Sequence, residues 1–207
     1  MSTFLQEGRA PLILASASVT RRRLLENTGL TFSTEAAGLD EAAMRTAMGL
    51  EGTVEPSDVA EVLARAKAEA VSVRSGAAFV IGGDQVMAVD GKIYGKPQSM
   101  EAARARLLEL NGRSHQLHTA VVVATGGETK WAYTDVATLT MRKLTPAFIG
   151  RYLAAAGQGV LGSIGAYQIE SFGIQLFDNI DGDFFSILGL PLLPLLEALR
   201  REGAIEG

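Results

Sequence analysis

No cysteine occurs in the 207 residues, which removes thiol nucleophiles, zinc-thiolate sites and disulfide frameworks and leaves a cytoplasmic address as the simplest expectation. Histidine is almost as scarce. The two present, His115 and His118, have no partners at metal-ligand spacing and read as structural. Long apolar runs are missing too: the best candidate, residues 188–199, is cut by Gly189, Pro191, Pro194 and Glu197, and a membrane span needs about 18 apolar residues. Residues 1–10 carry Glu7 and Arg9 and lack the apolar core of about seven residues that marks a secretory signal. Nor is there a surplus of basic charge. The net charge is −4, which argues against a nucleic-acid surface held by phosphate contacts. What is present is an ordinary globular composition, 47% apolar and 20% charged, sufficient for one sizeable core or two lobes sharing a sheet. An acidic chain that binds a small polyanion must gather its cations into one pocket, so lysines and arginines near glycines are the residues to follow.

The apolar run Pro11-Leu12-Ile13-Leu14-Ala15 reads as a strand, Ser16-Ala17-Ser18 as a small-residue turn, and the stretch through Leu24 and Leu25 to Gly29 as a helix. Pro56-Ser57-Asp58 opens a second helix with Val59, Val62, Leu63, Ala66 and Ala70 on one face, and Glu61 is placed to complete an Asp-led capping box. Residues 78–81 form a fully apolar strand that Gly82-Gly83-Asp84 is expected to end. After a turn at Asp90-Gly91, a third helix is capped by Ser99, apolar at Met100, Ala103, Leu107 and Leu110, and closed by Asn111-Gly112. Residues 116–141 hold two β-rich runs around Thr125-Gly126-Gly127-Glu128, a hairpin pattern. Thr145-Pro146 starts a helix stopped by Gly157, and Leu192–Arg201 forms a closing helix. Between them, residues 157–189 are glycine-rich but interleaved with Tyr167, Phe172, Phe177, Phe184 and Phe185, which suits ordered loops and short strands. Elements alternate first and turn antiparallel later. A single α/β domain over 1–207 follows, with a mixed sheet and flanking helices, no internal repeat and no linker.

Arg21-Arg22-Arg23 stands in the first turn of a helix, where the positive end of the helix dipole disfavours cations. A bound anion would relieve that conflict, and Ser16, Ser18 and a guanidinium could cradle a phosphate; a solvated arginine face is the alternative. Asp84 follows a buried strand and two glycines, a common ligand position in α/β sheets, although aspartate there also serves as a plain turn residue. Asp40-Glu41 lies in a segment expected to be irregular and gains meaning only beside Asp84. Two carboxylates without a histidine cluster suit a hard divalent ion such as Mg²⁺ or Mn²⁺. Lys67 sits at the edge of its helix's apolar stripe, where its stem can lie on the core and its ammonium reach a cleft or snorkel to solvent. Lys96 is stiffly presented between Gly95 and Pro97.

Taken in order, Leu14-Ala15-Ser16-Ala17-Ser18 with Arg21 and Leu24-Leu25, Asp40-Glu41, Ala66-Lys67-Ala68, Gly83-Asp84, Gly95-Lys96-Pro97, Gly165-Ala166-Tyr167 and Gly189-Leu190-Pro191-Leu192 resemble the Maf family over residues 11–200. The resemblance implies a fold of two lobes around a cleft, similar to inosine triphosphate pyrophosphatases. It also implies metal-dependent hydrolysis of a nucleoside triphosphate to monophosphate and pyrophosphate, clearing modified or excess nucleotides, with Mg²⁺, Mn²⁺ or Co²⁺ as cofactor and room for a homodimer. By motif, Ser16, Arg21, Lys67 and Lys96 would hold the triphosphate, Glu41 and Asp84 would serve metal and water, and Asp84 would be the proton acceptor. Three positions separate branches of the family. The branch acting on thymidine and uridine triphosphates has Arg, Thr and Gln where this chain has Thr20, Gln85 and Glu170, and the 7-methyl-GTP branch has Trp, Gln and Glu. Gln85 and Glu170 therefore favour a purine or 7-methyl-GTP substrate, while Thr20 matches neither branch. Two other functions compete: a nucleotide-binding regulator of septum formation with little turnover, and an α/β phosphatase acting on monophosphates.

Overall fold

The computed structural model describes residues 4–48 and 54–207. Seven strands, β1 (Leu12–Ala15), β2 (Ser33–Thr34), β3 (Phe79–Val89), β4 (Lys92–Tyr94), β5 (Ser114–Thr125), β6 (Glu128–Met141) and β7 (Phe177–Asp181), form one mixed sheet. Their order is β2-β1-β3-β5-β6-β7, with β4 paired to β3 outside that path. The helices are α1 (Val19–Glu26), α2 (Glu41–Ala47), α3 (Pro56–Ser72), α4 (Met100–Leu110), α5 (Pro146–Ala156), α6 (Phe184–Ile187) and α7 (Leu192–Arg201). Among the described residues, no helix is long and apolar enough to cross a membrane. The chain packs as two compact units: Met1–Gln85 with His118–Asp135 and Asp183–Gly207, and Val86–Leu117 with Val136–Gly182.

In the first unit β1 runs parallel to both β2 and β3, Ile13 opposite Ser33 and Leu12 opposite Phe79. Strand alternation then divides the apolar side chains between two layers. Leu12, Leu14 and Ile81 pack with Leu25, Val121, Val123, Leu190, Leu195 and Leu199, whereas Ala15 and Val80 pack with Val71 of α3. Both faces are covered, which is why the strand sequences are continuously apolar.

The same alternation governs the double glycine, and here the sequence expectation is corrected. Strand β3 does not end at Gly82-Gly83-Asp84 but runs through it to Val89. A Cβ on Gly82 would lie 2.2 Å from the Ala64 carbonyl oxygen and 2.8 Å from the Ala68 nitrogen, so this glycine lets α3 approach the sheet. A Cβ on Gly83 would meet Arg21 Nε at 3.2 Å. The chain turns later, at Asp90 and Gly91, whose φ angles of 48° and 78° suit a tight hairpin leading to β4.

Two helices also depart from the sequence pattern. Residues 41–47, expected to be irregular, form α2, with Asp40 accepting from the Ala43 amide at 2.9 Å as a cap. The box predicted for α3 is absent: its N-cap is Glu55 without a side-chain cap, Pro56 supplies the first turn, and Glu61 pairs with Arg65 at 2.7 Å. Helices α4, α5 and α7 match their sequence signals, Ser99 and Thr145 capping the first two by accepting from Ala102 and Phe148.

The second unit closes around a buried aromatic cluster. His115 Nε2 and the Tyr167 hydroxyl are 2.6 Å apart, and the Tyr167 ring meets Phe177 edge-on with centroids 4.8 Å apart. Gly165 is obligatory because its Cβ would fall 2.0 Å from the Tyr167 ring, and Ala166 carries a left-handed φ of 59°. Arg106 lies 4.2 Å over the Tyr94 ring and donates to the Ile164 carbonyl at 2.8 Å.

Burial, and then the charge of Arg106, push the His115 imidazole down from 6.5 to about 4. Unfolding returns it to its ordinary value, so between these limits the unfolded chain binds more protons than the folded one. The stability contributed by neutral His115 is complete above pH 6.5 and is lost as the pH falls toward 4. From pH 7 to pH 5 the expected loss is about 2 kcal/mol. Denaturant melts check it: His115→Gln should lose less stability over this interval than wild type, and equal losses would contradict it.

Candidate active site

Alternation along β3 sends Gly82 and Asp84 to the side covered by α3, while Gly83 approaches Arg21 and Gln85 reaches Ser186. Asp84 is 4% exposed, and its carboxylate is held from both sides. Lys67 Nζ donates to Oδ1 at 2.7 Å, and an Arg45 NH group donates to Oδ2 at 3.0 Å. The same two cations reach Glu41, Lys67 at 2.9 Å and Arg45 at 3.8 Å. Glu41 opens α2 and Arg45 follows one turn later, so a helix too short to be obvious in sequence places a carboxylate and a guanidinium on one face. Lys67 is buried, its stem on the core and its ammonium on the carboxylates, the first of the two arrangements its sequence position allowed.

Arg21 projects from the first turn of α1. Its Nε donates to the Gly189 carbonyl at 2.7 Å and one terminal nitrogen to Ser16 Oγ at 3.4 Å. Gly189 has a φ of 105°, which gives the Gly189-Leu190-Pro191-Leu192 motif a role: its carbonyl aims Arg21. Burial lowers the affinity of this guanidinium for its proton, while Asp84 and then Glu41 raise it; the group stays charged. Ser18 is the N-cap of α1 and accepts from the Arg21 amide at 3.3 Å, so one N–H of the expected cradle is already satisfied within the helix. Ser16 Oγ accepts from the Ser18 amide at 3.1 Å and keeps its own proton to donate. Ser16 and Ser18 line a cavity of about 90 Å³ with Ala17, Val19, Arg22 and Thr34. Of the other two arginines, Arg22 pairs with Glu26 at 3.5 Å and Arg23 is exposed.

The structure thus brings Ser16, Arg21, Glu41, Lys67 and Asp84 together in the first unit. Thr20 precedes Arg21 there and is half-buried. Gln85 is also in that unit, its amide donating to Thr119 Oγ1 at 2.8 Å and to the carbonyls of Ser186 and Ile187 at 3.1 Å. Lys96 and Glu170 are exposed residues of the second unit. Arg45 was not foreseen; its only signal was the four-residue spacing from Glu41. His118 is buried in the first unit, its Nδ1 2.8 Å from Ser57 Oγ at the start of α3.

Glu41 Oε1 and Asp84 Oδ1 converge on a single ammonium, so the pair already bridges one hard cation. Among the described residues no group of three or more His, Asp or Glu is placed to hold a metal. Two convergent carboxylates nevertheless fit Mg²⁺ or Mn²⁺ when the remaining ligands come from phosphate and water. A phosphate would in turn find Lys67, Arg45 and Arg21 within one cluster. The site thus sets a buried carboxylate and its half-exposed partner, Asp84 and Glu41, among three cations.

The Maf-like protein family model matches residues 11–202, and the chain belongs to the Maf family. A 7-methyl-GTP pyrophosphatase of Brucella abortus biovar 1 (strain 9-941) is 50% identical over 196 residues, covering 95% of this chain and 98% of the relative. One from Mesorhizobium japonicum (strain LMG 29417 / CECT 9101 / MAFF 303099) is likewise 50% identical over 196 residues with the same coverage. A nucleoside triphosphate pyrophosphatase of Granulibacter bethesdensis (strain ATCC BAA-1260 / CGDNIH1) is 46% identical over 194 residues, 94% of this chain and 98% of the relative.

The buried bridge predicts strong coupling. Lys67→Met removes the counter-ion closest to Asp84 and should destabilise the fold by about 3 kcal/mol. Combined with Asp84→Asn, the loss should fall short of the sum of the single losses by at least about 1 kcal/mol. Chemical denaturation of the four proteins measures this, and additive losses would mean that the bridge does not form.

Proposed function

We propose that this chain hydrolyses a nucleoside triphosphate at its α phosphorus, releasing nucleoside monophosphate and pyrophosphate, with a purine or 7-methyl-GTP type substrate favoured. The observation that carries the proposal is the buried Asp84 carboxylate, set among Lys67, Arg45 and Arg21 in a chain half identical to pyrophosphatases of that name. Glu41 and Asp84 would hold a divalent ion, which supplies charge neutralisation and makes water more acidic.

Asp84 accepts the proton of the attacking water. Charge on the departing pyrophosphate grows as the bond breaks, so fixed cations stabilise the transition state more than the ground state. Arg21, aimed by the Gly189 carbonyl, and Lys67, fixed in α3, are such cations, and Ser16 donates its hydroxyl to a phosphate oxygen. The resemblance at Gly95-Lys96-Pro97 assigns Lys96 to the triphosphate as well. The cysteine-free composition supports a cytoplasmic address.

Base preference rests on Thr20, Gln85 and Glu170. Guanine presents N1–H and an exocyclic amine side by side, and the Glu170 carboxylate can accept from both, whereas uracil and thymine offer one N–H between two carbonyls. Thr20 offers no aromatic face to a cationic methylated purine, an interaction worth about 0.5–2 kcal/mol. Discrimination for the methyl group should accordingly be modest.

Incubation with GTP, 7-methyl-GTP, UTP and dTTP should yield monophosphate and pyrophosphate from at least one of them, and EDTA should abolish the reaction. Asp84→Asn should retain nucleotide binding while kcat falls about a hundredfold to ten-thousandfold. Stepwise release of orthophosphate, or near-normal turnover in this variant, would overturn the mechanism. Glu170→Gln should shift kcat/KM toward UTP and dTTP, and an unchanged ranking would remove Glu170 from base recognition.

A further inference from the structure

Arg45 has features that a purely structural ion pair does not explain. Its guanidinium takes Asp84 Oδ2 at 3.0 Å, while Lys67 takes Oδ1 at 2.7 Å, so both oxygens of the carboxylate are engaged by cations. Glu41 faces the same two, through Oε1 toward Lys67 and Oε2 toward Arg45. The two cations are not held equally. Lys67 is buried in a 17-residue helix packed against the sheet at Gly82. Arg45 stands on a seven-residue helix, a length with little stability of its own, and its side chain keeps 19% exposure. One of its terminal nitrogens is buried without a hydrogen-bond partner among the described residues. A guanidinium offers five donors in a planar fork that matches phosphate oxygens two at a time, so Arg45 carries donors that its present contacts leave unused.

We propose that Arg45 is an exchangeable counter-ion, a role that rests on the assignment of Glu41 and Asp84 to a divalent ion. It guards Asp84 against a bare metal ion and transfers to phosphate oxygens when nucleotide arrives, so that metal and nucleotide enter together. The carboxylate pair presents its charge to solvent mainly through Glu41, whose side chain is 43% exposed against 5% for Asp84. A free divalent ion approaching Asp84 therefore meets a guanidinium already on Oδ2. A nucleotide carries several negative charges and can draw that guanidinium away through charge-assisted hydrogen bonds, exposing the oxygen as its own phosphates supply the remaining metal ligands. Lys67, buried in α3 against the sheet, stays as the fixed cation. The consequence is positive coupling between two ligands, and coupling is reciprocal: nucleotide tightens metal binding by the factor by which metal tightens nucleotide binding.

The test measures binding rather than turnover. Free Mn²⁺ is followed by electron paramagnetic resonance in titrations of the full-length protein, alone and with a saturating α,β-methylene analogue of GTP. Wild type should bind Mn²⁺ weakly alone and about tenfold or more tightly with the analogue, within the usual range for linked sites. Arg45→Gln should bind Mn²⁺ alone about tenfold more tightly than wild type, bind the analogue more weakly and lose most of the coupling. Arg45→Lys keeps the charge without the fork and should fall between the two, and it carries the test should Arg45→Gln fail to fold in a thermal melt. Wild-type Mn²⁺ affinity and undiminished coupling in the folded variant overturn the proposal. Asp84→Asn separates the two layers: if it leaves Mn²⁺ binding unchanged, the ion does not sit on Asp84 and the site assignment falls with the proposal. If it weakens Mn²⁺ binding while the Arg45 variant behaves as wild type, the counter-ion role alone is wrong.

Discussion

A single ammonium shared by two carboxylates is the contact on which the arrangement around Asp84 depends. Lys67 bridges Asp84 and Glu41 in a place where an unpaired charge would be costly, and it can do so only because α3 lies close against β3. That closeness is set by the missing side chain at Gly82, where a Cβ would fall 2.2 Å from the Ala64 carbonyl oxygen. Strand alternation then places Asp84, two residues on, beneath the same helix. One glycine, one lysine and one aspartate thus form a unit in which backbone packing and site electrostatics cannot be changed independently.

Much of the fold was legible because local chemistry and tertiary demand agreed. Ser99 and Thr145 are caps, Gly126 and Gly127 turn the hairpin with φ of 60° and 85°, and α7 begins and ends where its apolar period does. The departures at β3 and α2 share a cause: residues that suit turns serve another purpose. Gly82-Gly83-Asp84 has turn composition, yet the glycines serve close approach by α3 and Arg21. Asp40 resembled a loop residue and is the cap of α2, a helix of two turns whose four-residue spacing from Glu41 to Arg45 is too brief to rise above background.

The candidate site was legible as residue types rather than as a network. Ser16, Arg21, Glu41, Lys67 and Asp84 could be chosen from sequence, but the bridging of both carboxylates by Lys67 depends on the packing of α3, which no local pattern encodes. Arg45 was missed because its helix was missed. The aim of Arg21 was hidden for another reason, since the Gly189 carbonyl that fixes it lies 168 residues away in the chain. Gln85 shows the opposite case. Its NH₂ group donates to Thr119, Ser186 and Ile187, so its identity is constrained by packing in the first unit as well as by any part it takes in recognising the base.

Assigning Asp84 to proton removal from water and the surrounding cations to a departing pyrophosphate fixes which phosphorus is attacked. The most direct measurement is a single turnover of nucleoside triphosphate in ¹⁸O-enriched water, with both products analysed by mass spectrometry. Attack at the α phosphorus requires the label to appear in the nucleoside monophosphate and not in pyrophosphate. Label in pyrophosphate or in orthophosphate would mean that water attacks elsewhere, and the roles given to Asp84 and its cations would be wrong.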